Sequence, residues 1–367
     1  MQMIYKSTRY VLPVLFLGYG AYANVNLLAS GAATLAGKTD ILRGEVTAQI
    51  DHLYKSDLPH RNGSVGLVGA ARYLLTGEGR TGVLTGRDGW LFTSEEARAM
   101  GDDMTGEVAR IVAVRDQLKA AGVELVIVPV PAKADIEADK ANRPDLTAEM
   151  VDRYVTFRAD LADVGIRSVD SRTPLAELND REQAFFATDT HWTVDGARVV
   201  ADAVGHDLIA AGLVANDATF KIQLENNLNF TGDLVSFVTS DTWAPAIGLA
   251  PESVTPFLSV AEASAELGTI DLFGGADSGG VVLVGTSYSA NARWSFAESL
   301  KVALGSDVIN FAKEGQGPAR PMFAYLKSAD FRDAPPAVVI WEFPVRYLAD
   351  PTIWDEQTKP AEGEDAT

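Results

Sequence analysis

An α/β fold on a largely parallel sheet is the class this sequence predicts, and three observations lead there. Short apolar runs of strand length alternate with helical patterns from about residue 105 to 341. The runs 123–130, 281–284 and 337–341 are dominated by Val, Ile and Leu, so both of their faces need cover, as in a parallel sheet. With 367 residues, 47% of them hydrophobic, the chain can enclose a two-sided core.

The N-terminus comes first. Residues 1–9 carry Lys6 and Arg9 and no acid, and 10–37 hold no charged residue at all. A basic end, the apolar run 11–17 and the small residues Ala21 and Ala23 stand in the order of an export signal. Residues 1–29 therefore read as a signal peptide or, uncleaved, as an anchor reaching through Leu27 and Leu28, roughly 20 residues long. A buried N-terminal helix is the competing reading. Either export reading keeps the basic end cytoplasmic and the rest outside. With no cysteine in the chain, lipid attachment through that residue is excluded.

Residues 30–84 read as a polar, helix-rich lead-in that closes on the Gly-rich stretch 77–82. A turn and strand follow at 86–92, where Asp88-Gly89 signals a tight turn. Val108, Ile111, Val112, Arg115 and Leu118 recur at helical spacing, Gly122 stops that helix, and 123–130 is a buried strand. The alternation continues with a helix over 146–164, then strands at 166–169, 281–284, 308–311 and 337–341. A polar insertion around 213–279, rich in Asn, Gly and Pro, interrupts it. The main domain is thus expected over 85–350, and the acidic tail 351–367 is expected to be disordered.

Charge and composition exclude several functions. Fifty acids against 31 bases give a net charge of −19, which leaves no general basic face for nucleic acid. The absence of cysteine removes disulfide frameworks, thiol nucleophiles, iron–sulfur clusters and Cys-bound zinc, and no cofactor or metal site is expected.

Of the four histidines, His52 and His60 lie in the lead-in and His206 within a helix, while His191 stands on a loop just before that helix. Thr193 is a good N-cap, and Ala197, Val200, Ala201, Val204 and Leu208 make one apolar helical face. Asp189 can reach the His191 ring and stabilise its protonated form, or it can cap backbone beside an ordinary histidine; locally the two readings are even. Ser287 follows the strand 281–284, at the strand end where open α/β sheets place their sites, and a helix pattern begins beyond it. It is a candidate nucleophile ahead of Ser289, although a Ser-rich helix cap would look the same. Strand ends also bring Lys133 of Pro129-Val-Pro-Ala-Lys133, Gly315 and Gly317, and Arg346 of Trp341-Glu-Phe-Pro-Val-Arg346 toward one sheet edge. Gly315 or Gly317 can present an N–H to an oxyanion; Tyr288, Lys133 and Arg346 are further oxyanion or substrate candidates.

Taken in order, the motifs at 86–92 and 129–133, Asp189-Thr-His191-Trp192, Gly285-Thr-Ser-Tyr-Ser289 and Trp341-Glu-Phe-Pro-x-Arg346 resemble the AlgJ/AlgX type of alginate O-acetyltransferase, over roughly residues 60–350. The resemblance implies an SGNH hydrolase-like fold, export to the periplasm, and acetylation of an exopolysaccharide, most simply alginate. It implies Ser287 as nucleophile, His191 as general base and acid, and Asp189 as orienting carboxylate. Here Asp189-x-His191 precedes the serine, whereas in the wider SGNH group the pair follows it. Gly-Thr-Ser replaces Gly-Asp-Ser, and no Gly-x-Asn-Asp block supplies an oxyanion asparagine. Implied partners are a polysaccharide acceptor, a membrane-bound O-acyltransferase that hands acetyl across the bilayer, and other exopolysaccharide secretion proteins. An exported carbohydrate esterase with the same triad, or a non-catalytic secretion component, are the alternatives. A chain at −19 repels a polyanion unless a local basic strip, drawn from Lys133, Arg293, Arg320 or Arg346, overrides the global field.

Overall fold

The structure, a computed structural model, describes residues 2–36, 45–56, 58, 61–100, 104–262 and 280–355. Helices α1 (Gln2–Ala36), α2 (Glu45–Ser56) and α3 (Arg61–Thr76) occupy the N-terminal segment. Within α1, Tyr10–Gly31 is long and apolar enough to cross a membrane by length and composition. Small residues let α2 close on α1: Ala23 and Leu27 are buried there, and Leu53 fills the space a Gly31 Cβ would need. A hairpin of β1 (Val83–Thr85) and β2 (Leu91–Thr93) follows. At its tip Asp88 and Gly89 both adopt positive φ, 56° and 80°, the conformation that Asp-Gly supplies to tight hairpins.

The chain continues through α4 (Thr105–Ala120), β3 (Glu124–Val130), α5 (Lys133–Ile136), α6 (Ala138–Ala141), α7 (Pro144–Asp163), β4 (Arg167–Ser168), α8 (Arg172–Asn179) and α9 (Val194–Ala210). The insertion contributes β5 (Phe220–Leu224), β6 (Leu228–Phe230), β7 (Glu252–Val254) and β8 (Phe257–Ala261), paired antiparallel as β5–β8 and β6–β7. After it come β9 (Val281–Val284), α10 (Ser287–Ala290), α11 (Phe296–Leu304), β10 (Val308–Asn310), α12 (Ala319–Lys327), α13 (Ala329–Asp333) and β11 (Val338–Pro344).

A five-stranded sheet in the order β10-β9-β11-β3-β4 carries the fold, and all its pairings are parallel. Alternation along the strands divides the core. Val126, Val128, Leu283 and Ile340 join one apolar layer with α9 and α11, while Leu125, Ile127, Val282, Val339 and Trp341 join the other with α4 and α12. The five apolar residues expected on α9 are fully buried, so that helix is fixed tightly on the sheet and holds the loop before it. On α4 the buried set is Val108, Ile111, Val114 and Leu118.

Folded structure continues beyond the expected boundary at 350. Pro351–Trp354 forms a short 3-10 turn that buries Ile353 and Trp354, with Trp354 6.3 Å from Trp341 and 6.1 Å from Phe343, centroid to centroid. Two apolar side chains outweigh the acidic character that made this stretch look like tail. The tail expectation for 356–367, and the part of the insertion at 263–279, fall outside the described residues.

Candidate active site

Because every strand of the main sheet runs the same way, their carboxyl ends share one edge, and the turn after β9 lies there. Gly285 passes so close to β11 that a Cβ would sit 2.4 Å from the Glu342 carboxylate, so only glycine fits. Glu342, buried completely, accepts the Thr286 N–H at 2.7 Å, the Thr286 hydroxyl at 3.0 Å and the Ser289 hydroxyl at 3.1 Å. Thr286 in turn is the N-cap of α10. Held from below in this way, Ser287 stands partly exposed as the first residue of α10, while Ser289 is buried and committed to Glu342. Burial raises the Glu342 pKa, and the Thr286 and Ser289 donors oppose that rise.

His191 comes from the loop between α8 and α9. Phe185 and Trp192 form an antiparallel bridge, Thr193 caps α9 by accepting the Gly196 N–H at 3.0 Å, and residues 188–191 are left at the tip. Asp189 Oδ1 accepts both the His191 backbone N–H at 2.9 Å and the ring Nδ1–H at 2.7 Å. The cap and the orienting carboxylate, alternatives from sequence, are thus the same oxygen. An ionised Asp189 fixes the proton on Nδ1 and leaves Nε2 to accept the Ser287 hydroxyl, 2.7 Å away. The imidazole lies against Trp294, nearly parallel at 23° and 5.1 Å between centroids, with Tyr288 on another side at 4.8 Å.

Electrostatics favour the ion pair that a working base must form. Burial opposes the imidazolium, but the Asp189 charge and hydrogen bond outweigh it and hold the His191 pKa above the ordinary value of 6.5. The same pair keeps Asp189 below its ordinary value despite burial. Since Nε2 can accept a proton only when neutral, activity is expected to rise with pH through a limb lying above 6.5. Asp189→Asn leaves burial to act without a strong counterweight, so the limb should move to lower pH while the plateau rate falls about 10⁴-fold. A pH–rate profile of both proteins checks this; an unmoved limb contradicts it.

Two residues that the sequence reading missed complete the setting. Asp233, from the insertion, donates its backbone N–H to Asp189 Oδ2 at 3.0 Å and accepts the Thr190 N–H at 2.8 Å. Loss of water on its triad side and then the like charge of Asp189 push the Asp233 carboxyl up, although the residue keeps an exposed face. Asp189, His191 and Asp233 bring ligand-type atoms within 4.8 Å of one another. Both oxygens of Asp189 and both nitrogens of His191 take part in hydrogen bonds that account for their convergence. Glu96 is the second. It is buried and accepts the N–H groups of Lys133 and Ala134 at 2.9 and 3.0 Å.

Lys133, Tyr288 and Arg346 are all brought to the site, but behind it. Lys133 is 1% exposed, and its three ammonium protons go to the carbonyls of Leu91, Ala187 and Asp189 at 2.7, 3.0 and 2.9 Å. No donor is left for a substrate, so the expectation of contact gives way to one of support. Burial lowers its pKa to about 8. Tyr288 donates to the Thr190 carbonyl at 2.8 Å, and buried Arg346 donates to the Tyr288 oxygen at 3.2 Å and to Glu95 at 3.0 Å. Lys133 and Arg346 therefore drop out of the basic surface strip, which leaves Arg293, exposed above the Phe230 ring, and the half-buried Arg320. After β10, Lys313 N–H bonds the Gly285 carbonyl, so that loop runs beside the turn that carries Ser287. Gly315 and Gly317 lie further along with φ of 68° and 62°; Gly315 borders open space and Gly317 faces Ile353 and Tyr347.

Comparison with known proteins gives the family. Residues 83–345 match the family described as SGNH hydrolase-like domain, acetyltransferase AlgX. The chain is 35% identical over 351 residues to the probable alginate O-acetylase AlgJ of Pseudomonas syringae pv. tomato, covering 94% of this chain and 89% of that protein. It is 36% identical over 321 residues to the Pseudomonas aeruginosa AlgJ, covering 85% and 82%. Among solved structures, the O-acetyltransferase domain of Pseudomonas putida AlgJ superposes with a TM-score of 0.64 at 35% identity, over 73% of this chain and 93% of that one. Pseudomonas aeruginosa AlgX gives 0.58 at 26% identity, over 73% and 67%. By family match, by identity over most of its length and by fold, this chain belongs to the AlgJ/AlgX family of SGNH hydrolase-like O-acetyltransferases.

Proposed function

We propose that the protein acetylates hydroxyl groups of alginate in the periplasm, through an acetyl-serine intermediate on Ser287. The observation that carries the mechanism is the unbroken chain Asp189–His191–Ser287, with 2.7 Å at each side-chain link. In the first half-reaction His191 Nε2 takes the Ser287 proton as Oγ attacks the donor's acetyl carbonyl. The bond from that carbonyl to the donor breaks, and the imidazolium returns its proton to the leaving group. In the second, a sugar hydroxyl gives its proton to His191 and its oxygen attacks the acetyl-serine; Ser287 leaves and is reprotonated. The Ser287 N–H, at the start of α10, and the loop carrying Gly315 and Gly317 are the assigned oxyanion donors.

Alginate is supported by the relatives, which are named as alginate O-acetylases or alginate biosynthesis proteins. The apolar stretch Tyr10–Gly31 supports export with the helix retained as an anchor. An exported enzyme has no direct supply of cytoplasmic acetyl thioester, so the donor on this reading is a membrane-bound O-acyltransferase, and an anchor raises its effective concentration at the site.

Transfer and hydrolysis differ in the acceptor alone. Full-length protein, an aryl acetate donor and mannuronate oligomers should yield acetylated oligomers at a rate that rises with oligomer concentration. Acetate release with no acetylated oligomer would identify an esterase and overturn the proposal.

A further inference from the structure

We propose that the outward face of α3 rests on the surface of an anionic bilayer, next to the N-terminal anchor. This depends on the anchored reading of α1 given above.

The face is apolar and uncovered. α3 packs on the insertion through small residues: a Cβ at Gly66 would meet Ser240 and Trp243, one at Gly69 would meet the Val238 carbonyl, and Ala70 is buried. Helical spacing puts Leu67, Val68, Ala71, Leu74 and Leu75 together on the opposite side, within an arc of about 120°. Leu75 is 84% exposed and Val68 68%. An exposed apolar stripe of this extent marks a surface that meets something other than water.

The charge around it fits one occupant. From Leu58 to Gly77 the sequence holds two arginines and no acid, with Asp57 and Glu78 at its two ends, in a chain with 50 acids. Arg72, at the margin of the stripe, reaches Glu78 at 3.0 Å but stays half exposed, within reach of a lipid phosphate. The chain's net charge of −19 otherwise opposes approach to anionic lipid.

Position follows from α2. It runs back along α1, so that Tyr54 donates to the Asn24 side chain and Leu53 lies against Gly31. Near that end Lys55 and Asp51 form an exposed pair at 2.6 Å, and such charges cannot sit in hydrocarbon. The aqueous boundary of the span therefore falls near Asn24, inside the Tyr10–Gly31 stretch, so the part in hydrocarbon is about 15 residues from Tyr10, a length the bilayer meets by local thinning. Residues 57–60 join α2 to α3 and can cover at most about 15–20 Å, which starts α3 close to that boundary. An amphipathic helix there sinks its apolar side roughly 5–10 Å into the headgroup region. The domain is thereby held at a fixed height and tilt over the membrane from which acetyl is delivered.

The chain lacks cysteine, so single-cysteine variants take one label each. Full-length Val68→Cys, Leu75→Cys, Leu17→Cys and Val155→Cys, each with an environment-sensitive fluorophore, are placed in nanodiscs of phosphatidylcholine and phosphatidylglycerol. Lipids with a nitroxide near the headgroup should remove about half or more of the emission at Val68 and Leu75, as expected at that depth. Leu17 should be quenched by deeper nitroxides, and Val155, an exposed residue on α7, by neither. Quenching at Leu17 with none at Val68 and Leu75 overturns the proposal and keeps the anchor. No quenching at any of the three overturns both. A blue-shifted emission at Val68 and Leu75 that no lipid nitroxide quenches assigns the face to protein contact, within the chain or with a second copy, and overturns the lipid assignment.

Discussion

Ser287→Ala is expected to lower acetylation of the polymer by at least about 10⁴-fold while leaving the fold intact. The hydroxyl's partner is the His191 ring, whereas the turn around it is held by Thr286, Glu342 and Ser289, none of which the substitution touches. His191→Ala should cost about as much, and the double variant little more, because a nucleophile without its base and a base without its nucleophile fail at the same step. Acetyl content of the oligomer product, measured by NMR, gives the rate, and a melting curve reports the fold. Activity of Ser287→Ala within tenfold of the parent contradicts the assigned role.

Lys133→Met should be the most damaging single change to stability outside the apolar layers. The replacement keeps the length of the side chain but removes three charge-assisted hydrogen bonds; it leaves the carbonyls of Leu91 and Asp189 without the lysine donor, while the Ala187 carbonyl keeps the Leu91 N–H at 2.9 Å. It also removes a cation seated 5.0 and 5.1 Å from the ring centroids of Trp90 and Phe92. A loss of about 3–5 kcal/mol is expected, since an orphaned buried acceptor keeps its full desolvation cost. Urea unfolding measures it. The same lysine ties the hairpin of β1 and β2 to residues 187–189, so kcat should fall as well, through a loosened Asp189. A loss under about 1 kcal/mol with unchanged kcat contradicts the supporting role.

What could be read in the sequence followed from local pattern. The buried strands β3, β9 and β11 announced themselves by runs rich in Val, Ile and Leu, α9 by its apolar face and Thr193 cap, and the hairpin by Asp88-Gly89, whereas 308–311, expected to be buried in the same way, forms an edge strand with Ile309 exposed. The Asp189-x-His191 pair was readable because both residues sit on one short loop. Contacts between distant segments carry no such signal. Asp233 meets Asp189 across 44 residues of sequence and Glu342 meets Thr286 across 56, and neither pair has a period or spacing that marks it. Lys133 and Arg346 show a related limit. A basic residue after a strand looks the same whether it faces solvent or three carbonyls, and the ring of acceptors that draws Lys133 inward exists only once β2 and the 187–189 loop come together. Ile353 and Trp354 were hidden by the acids that follow them, although two buried side chains suffice to extend the domain. The reversed order of pair and serine relative to the wider SGNH group has no geometric consequence, since the loop before α9 and the turn after β9 meet at the same sheet edge.

The central claim, a covalent acetyl group on Ser287, can be tested directly. Full-length protein mixed briefly with an aryl acetate donor, quenched in acid and digested, should yield the peptide containing Ser287 heavier by one acetyl group. That species should disappear when mannuronate oligomers are added before the quench, and the His191→Ala protein should not form it. Acetylated oligomer formed at full rate with no acetyl on the Ser287 peptide, under conditions that stabilise serine esters, would contradict the account.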